Sequence, residues 1–272
     1  MISVVTNTAS LGAQRALSAN QKALAQNLGR LSSGQRIAMA ADDAAGLGIS
    51  ERLKAQVRSL SQASRNVQDG VSLIQVADGA MNEQSGLLTR LRELAVQSAN
   101  GTLGTLERSY IQAEADELVA EVDAIAERTE FNGINMISAA ATSIELQVGI
   151  NNGDTQTVNF VPTDTATLGV DALDYTSAAG ASAAIDSIDA AIDALSSARS
   201  TVGAGQNRLM VTAQNLSSAH EQLSAANSRI RDVDVAEETA AMTRHQILSQ
   251  AGVAVLAQAN QLPQAALSLL GN

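Results

Sequence analysis

The sequence predicts a mainly α fold, an elongated antiparallel bundle of long helices with a small β-hairpin insert and terminal coiled-coil helices. Three observations lead there. Apolar residues recur every seven positions through two very long segments that contain no Pro, and the same spacing returns in thinner form at both ends. The 272 residues also include only two Phe, two Tyr and no Trp, too little aromatic surface to anchor a rounded core.

At the start, Leu17, Leu24 and Leu31 mark a narrow stripe interrupted by Gly12, Gly29 and Gly34. A single helix so thinly apolar frays alone and needs a partner. From Leu53, steps of seven give Leu60, Val67, Ile74, Met81, Leu88 and Ala95, the seam of a helix that would run roughly 60 Å at about 1.5 Å per residue. Ile111, Ala115, Leu118, Val122 and Ile125 alternate four and three apart and mark a shorter helix. Then the period changes. Ile144, Leu146 and Val148 alternate, Asn151-Asn152-Gly153-Asp154 makes a turn, and Val158, Phe160 and Pro162 follow, which reads as a hairpin. The insert, residues 138–180, is expected to be a surface excursion towards the far end of a rod. A second long seam follows in Ile188, Leu195, Val202, Leu209, Leu216, Leu223 and Ile230, and Leu248, Val255, Leu262 and Leu269 close the chain with another thin stripe. An out-and-back path brings both ends together, so the terminal stripes are expected to meet. The outcome is either a closed monomeric bundle or a subunit whose remaining faces pack on copies of itself.

Composition narrows the chemistry. Without Cys there is no disulfide, thiol nucleophile or zinc–thiolate site, and His220 and His245 cannot supply a multi-histidine metal site. The acidic neighbours Asp42-Asp43 and Glu237-Glu238 point about 100° apart on a helix, poor geometry for acid–base partnership. Gly46-Leu47-Gly48 and Gly203-Ala204-Gly205 lack the strand and Lys-Ser/Thr context of a phosphate loop, and signal close helix approach or a break. Asn100-Gly101-Thr102 fits a glycosylation acceptor but also a helix-to-loop turn, the preferred reading. No catalytic constellation, cofactor or metal is expected. No apolar run approaches a membrane span, and the first residues lack the charge pattern of a Sec-type signal. Charge is uneven: residues 1–92 carry ten basic and six acidic side chains, residues 93–272 seven and 22. Nucleic acid is a poor partner for such a chain; the positive segment could lie against an acidic one, within the chain or in a neighbouring copy.

Late in the first long helix, Arg90, Arg92, Glu93 and Gln97 are not needed for the seam and are left for solvent or a protein contact.

Ordered motifs carry a family resemblance. The N-terminal part has Arg30-Leu31-Ser32-Ser33-Gly34, Asp42-Asp43-Ala44-Ala45-Gly46, Asp69-Gly70, the run Arg92 to Asn100 and Phe131-Asn132-Gly133. The C-terminal part has Gln206-Asn207-Arg208, Ser228-Arg229-Ile230, Gln246-Ile247-Leu248 and Leu256-Ala257-Gln258-Ala259-Asn260 before Pro263. In these the chain resembles bacterial flagellins over residues 1–137 and 181–272, with Gly48 and Gly205 standing where larger residues are usual. It looks like a short, minimal form without large outer domains.

The resemblance implies a structural subunit, not an enzyme, exported unfolded by the flagellar type III apparatus and polymerised outside the cell into the filament that drives swimming. The alternative is a flagellin-like hook–filament junction protein. Residues 1–44 and 234–272 would form an inner coiled-coil domain, disordered in the monomer; residues 45–137 and 181–233 would form the helical rod domain. Implied partners are other flagellin subunits, cap and hook-junction proteins, and an export chaperone on the C-terminal segment. A flagellin-sensing Toll-like receptor of animals is also implied, at positions matching Arg90, Leu94, Gln97 and Glu114. The terminal assembly seam would comprise Leu17, Leu24, Leu31, Leu248, Val255, Leu262 and Leu269.

Overall fold

A computed structural model of the chain describes residues 6–141 and 143–270, with side chains as far as Gln261. Helix α1 spans Thr8–Ser33, α2 Ala44–Ala99 and α3 Thr105–Arg128. Two short antiparallel pairs follow, β1 (Glu130–Phe131) with β2 (Ile134–Asn135) and β3 (Ile144–Gln147) with β4 (Thr155–Val158). The one-turn helix α4 (Thr165–Leu168) precedes the long helices α5 (Ala178–Arg231) and α6 (Val235–Leu270). The fold is mainly α with a small β insert.

Helix ends are set by local chemistry. Asn7 caps α1 by accepting the Ser10 N–H at 3.0 Å, and Gly34 ends it in the left-handed region at φ 69°. Asp43 accepts the Gly46 N–H at 2.9 Å before the first turn of α2, and Asp234 accepts those of Ala236 and Glu237 before α6. Both acidic pairs singled out in the sequence thus do structural work at helix starts: Asp42 accepts from Ala38 and Met39, while Glu237 and Glu238 lie in the first turn of α6, where the helix dipole favours carboxylates. The backbone N–H bonds of Met39 and Ala38, with Arg30 nearby, hold the Asp42 carboxyl below its usual range. Asn100 accepts the Thr102 N–H at 3.2 Å, so the acceptor-like tripeptide is a turn closing α2. Helix α5 runs unbroken through Gly203 and Gly205.

The chain gathers into two compact units: residues 58–221, and the residues up to Val57 together with those from Gln222. In the 58–221 unit the predicted seams are the core. Leu60, Val67, Ile74, Met81, Leu88 and Ala95 are buried on α2, as are Ile188, Leu195, Val202, Leu209 and Leu216 on α5, and Ile111, Ala115 and Val122 on α3. Burial of these side chains stabilises the unit at roughly 25 cal/mol per Å² of apolar surface.

Residues 138–180 are not the surface excursion expected. Val158, Phe160, Leu168, Val170 and Tyr175 are all buried, and Gln84 of α2 donates to the carbonyls of Thr163 (3.0 Å) and Val122 (3.1 Å) while Thr163 Oγ1 donates back to it at 2.8 Å. The insert completes a core that three narrow helical stripes cannot close, and its few large side chains sit where they bury most. Tyr175 donates to the Leu91 carbonyl at 3.2 Å, and its N–H donates to Gln112 at 2.7 Å. The turn at Asn132 (φ 53°) and Gly133 (φ 76°) joins β1 to β2, a tight two-residue hairpin not anticipated from so short an apolar run.

Candidate functional site

Two surfaces hold the sequence-predicted site residues. The first is the pairing of α1 with α6. Asn7 donates to the Ala259 carbonyl at 2.7 Å, Ser10 Oγ to Asn260 Oδ1 at 2.7 Å, and Leu17 lies against Gly252, so the helices are antiparallel. On α1 the covered positions include Ser10, Ala13, Leu17, Asn20, Leu24, Asn27 and Leu31, spaced three and four apart, with Ala23 and Arg30 flanking them. On α6 they include Glu238, Met242, His245, Ser249, Gly252, Leu256 and Ala259, with Thr239 and Ala241 flanking them. Leu17, Leu24 and Leu31 therefore belong to the seam, half-buried.

The expected C-terminal stripe does not meet them. Leu248 is 42% exposed and Val255 57% exposed, each one residue, or about 100°, away from the covered row. Apolar spacing picked out Leu248 and Val255, whereas the row that touches α1 mixes Met242 and Leu256 with Glu238, His245, Ser249, Gly252 and Ala259. Leu262 and Leu269 lie outside the residues whose side chains are described. Polar members of the seam are partly matched: Asn27, with its amide nitrogen turned towards α6, donates to Glu238 at 3.1 Å, and Arg30 lies 3.9 Å from the same carboxylate.

Next to this pair, the two connecting segments clasp each other. Arg36 N–H donates to the Arg231 carbonyl at 2.7 Å, Arg36 Nη2 to the Ile230 carbonyl at 2.8 Å, and Val233 N–H to the Gly34 carbonyl at 3.1 Å; Arg231 pairs with Glu51. Sequence reasoning missed this clasp, because nothing in the spacing of Arg36 and Arg231 connects them.

The second surface lies on α2 and α3. Arg90 reaches Glu114 through Nε (3.1 Å) and Nη2 (2.7 Å) and Glu93 through Nη1 (3.0 Å). All three are about half exposed or more, so water screens the cluster and it orients Arg90 more than it stabilises the fold. Gln97 is exposed on the same helix. Leu94 is not part of the surface: it is 1% exposed, its side chain turned into the core beside Ala95. Four positions after Arg90, it falls on the buried edge of the α2 stripe. The apolar area of this face comes instead from α3, where Leu106 and Tyr110, 60% and 67% exposed, precede Glu114 at helical spacing. Close by, Arg92 grips Asp189 of α5 with two bonds, 2.6 and 3.2 Å, and holds that carboxyl below its usual range.

His220 sits half-buried beside Leu60 and Leu216, His245 lies in the α1–α6 seam, and among the described residues no three metal-ligating side chains come together.

Comparison with known proteins agrees with the helix pattern. Residues 4–142 match the bacterial flagellin N-terminal helical region and residues 185–270 the bacterial flagellin C-terminal helical region. The chain belongs to the bacterial flagellin family. A flagellin of Halalkalibacterium halodurans is 46% identical over 97% of this chain and 98% of its own length. The flagellar filament 33 kDa core protein of Treponema phagedenis is 43% identical over the same shares. A crystal structure of Bacillus cereus flagellin superposes with a TM-score of 0.52 at 32% identity, covering 56% of this chain and 88% of that one. As a flagellin, the chain is a structural subunit of the flagellar filament, assembling with other copies outside the cell, and not an enzyme. No helix among the described residues is long and apolar enough to cross a membrane.

Proposed function

We propose that this flagellin leaves the cell unfolded through the flagellar type III apparatus, C-terminal segment chaperoned, and adds beneath a distal cap to a filament, joined to its hook by junction proteins, that drives swimming. Residues 1–44 and 234–272 form the inner coiled-coil domain, 45–137 and 181–233 the helical domain, and 138–180 the variable insert. One observation carries the reading: the row in which α1 meets α6 covers Leu17, Leu24, Leu31, Met242 and Leu256 among small and polar residues, yet the two helices still leave Leu11, Leu28, Ile247, Leu248, Val253 and Val255 exposed. A helix pair that keeps six large apolar side chains outward gains from neighbours that cover them.

The test is seeded elongation. Leu248→Asp should give a secreted, folded 58–221 unit that does not extend wild-type seeds, because a carboxylate buried without a partner costs several kcal/mol. Normal elongation would overturn the reading. Arg90, Gln97 and Glu114 further fit a contact with a flagellin-sensing Toll-like receptor; Arg90→Ala monomer should bind it about 1–3 kcal/mol more weakly, and equal affinity would restrict these residues to subunit contacts.

A further inference from the structure

We propose that Lys54, Arg58 and Arg65 on α2 form a docking stripe for the acidic face of α3, Glu107, Glu117 and Glu121, on a second copy of the chain. Four and seven residues separate the three cations, which places them within about 40° of one another around the helix and along about 16 Å of it. Arg58 and Arg65 are exposed and Lys54 is half-buried. Among the described residues neither Lys54 nor Arg58 meets a carboxylate, and Arg65 bonds only the neutral Gln62. Glu107, Glu117 and Glu121 are exposed within about 80° on α3 and span about 21 Å, a matching length. Glu117 has no ion pair among the described residues, and Glu121 meets only Arg128, at 3.8 Å and largely in water.

The occupant follows from charge. Residues 58–221 carry eight basic and 21 acidic side chains, so copies brought side by side repel unless a cationic patch faces the acidic one. No ion pair described joins these two stripes within one chain. Being different patches, they make a head-to-tail contact, the kind that extends into a filament when its rotation does not close a ring. Exposed pairs add modest affinity each, but together they select register and speed encounter.

The proposal rests on the homopolymer reading, and the experiment separates the two. Critical concentration for growth on wild-type seeds is measured at about 50 mM salt, where screening is weak. Lys54→Glu/Arg58→Glu/Arg65→Glu and Glu107→Lys/Glu117→Lys/Glu121→Lys should each raise it about tenfold, with monomer circular dichroism unchanged. The six-fold variant, with both stripes reversed, should elongate from its own seeds to within about threefold of wild type, and the differences should shrink near 0.5 M salt. A triple that does not fold is replaced by Arg58→Glu, Glu117→Lys and their combination. Triples that grow like wild type, or a combination no better than its parts, overturn the contact; in that case the basic stripe faces solvent or another acidic partner. Wild-type protein that fails to elongate would overturn the homopolymer reading and this contact with it.

Discussion

Leu146 of β3 occupies the space that a side chain on Gly70 of α2 would need, and Leu209 of α5 would stand only 3.2 Å from the added carbon. The hairpin can lie on the helix because that position is glycine. Gly70→Ala should therefore lose about 1–2 kcal/mol in urea unfolding, the overpacking outweighing the better helix propensity of Ala. Leu146→Ala placed in the same chain should return part of the loss. Additive effects of the two changes would show that they do not meet.

Gly205 makes the opposite case. A side-chain carbon there would sit 3.8 Å from Ile74 and 3.9 Å from Val158, ordinary contact distances, in a helix with negative φ throughout. Gly205→Ala is expected to stabilise the protein by about 1 kcal/mol and raise Tm by a few degrees. An unchanged or lower Tm would mean that the close approach of β4 requires glycine.

Gln84 is fully buried between Met81 and Leu88, and its amide links α2, α3 and the strand of chain around Thr163. Gln84→Leu should cost about 1–3 kcal/mol, because the Thr163 carbonyl loses its side-chain donor and the Thr163 hydroxyl keeps only the longer bond to the Ile137 carbonyl, at 3.5 Å. Adding Thr163→Val should recover part of it. Urea midpoints of the two variants measure both effects.

Burial, with Asp116 adding to it, pushes the Tyr175 hydroxyl up to about 12 from its ordinary 10.0. A raised phenol favours the neutral folded form, so this contribution to stability is complete below pH 10 and is lost as pH climbs through about 12. In Tyr110→Phe protein, where Tyr175 is the remaining tyrosine, tyrosinate absorbance should appear only near pH 12 and together with loss of helix. Ionisation near 10 with the helices intact would contradict the burial.

Much of this was legible in the sequence, and the reason is geometric. A seven-residue apolar repeat can be read without knowing what lies opposite, so Val67, Ile74, Met81, Leu88, Leu195 and Leu209 identified themselves. Motif matching placed Arg90 and Glu114 on the outside. It also proposed Leu94, whose burial depends on where the stripe edge falls, and spacing alone does not fix that edge. The row of α6 that touches α1 escapes the apolar pattern because it contains Glu238, His245, Ser249 and Gly252, residues that carry no apolar signal. The insert looked peripheral since its composition is rich in Thr, Asp and Ala; the burial of Phe160, Val170 and Tyr175 depends on contacts with α2 and α3 that local patterning does not encode.

The bond between Asn7 and the Ala259 carbonyl joins residues 252 apart in sequence, and the clasp of Arg36 on Ile230 joins residues 194 apart. Gln84 and Thr163 are only 79 apart. Loop closure costs about 0.6 kcal/mol more for each doubling of length, so the ends close roughly 1 kcal/mol less favourably than the middle, around a seam whose leucines are only half-buried. Time then separates the two parts of the molecule. Residues 58–221 can fold while the last fifty are still unavailable, and the join between the first helix and the last is the final event of folding and the earliest of unfolding. Hydrogen exchange should see those amides open well before the Met81 to Leu88 segment does.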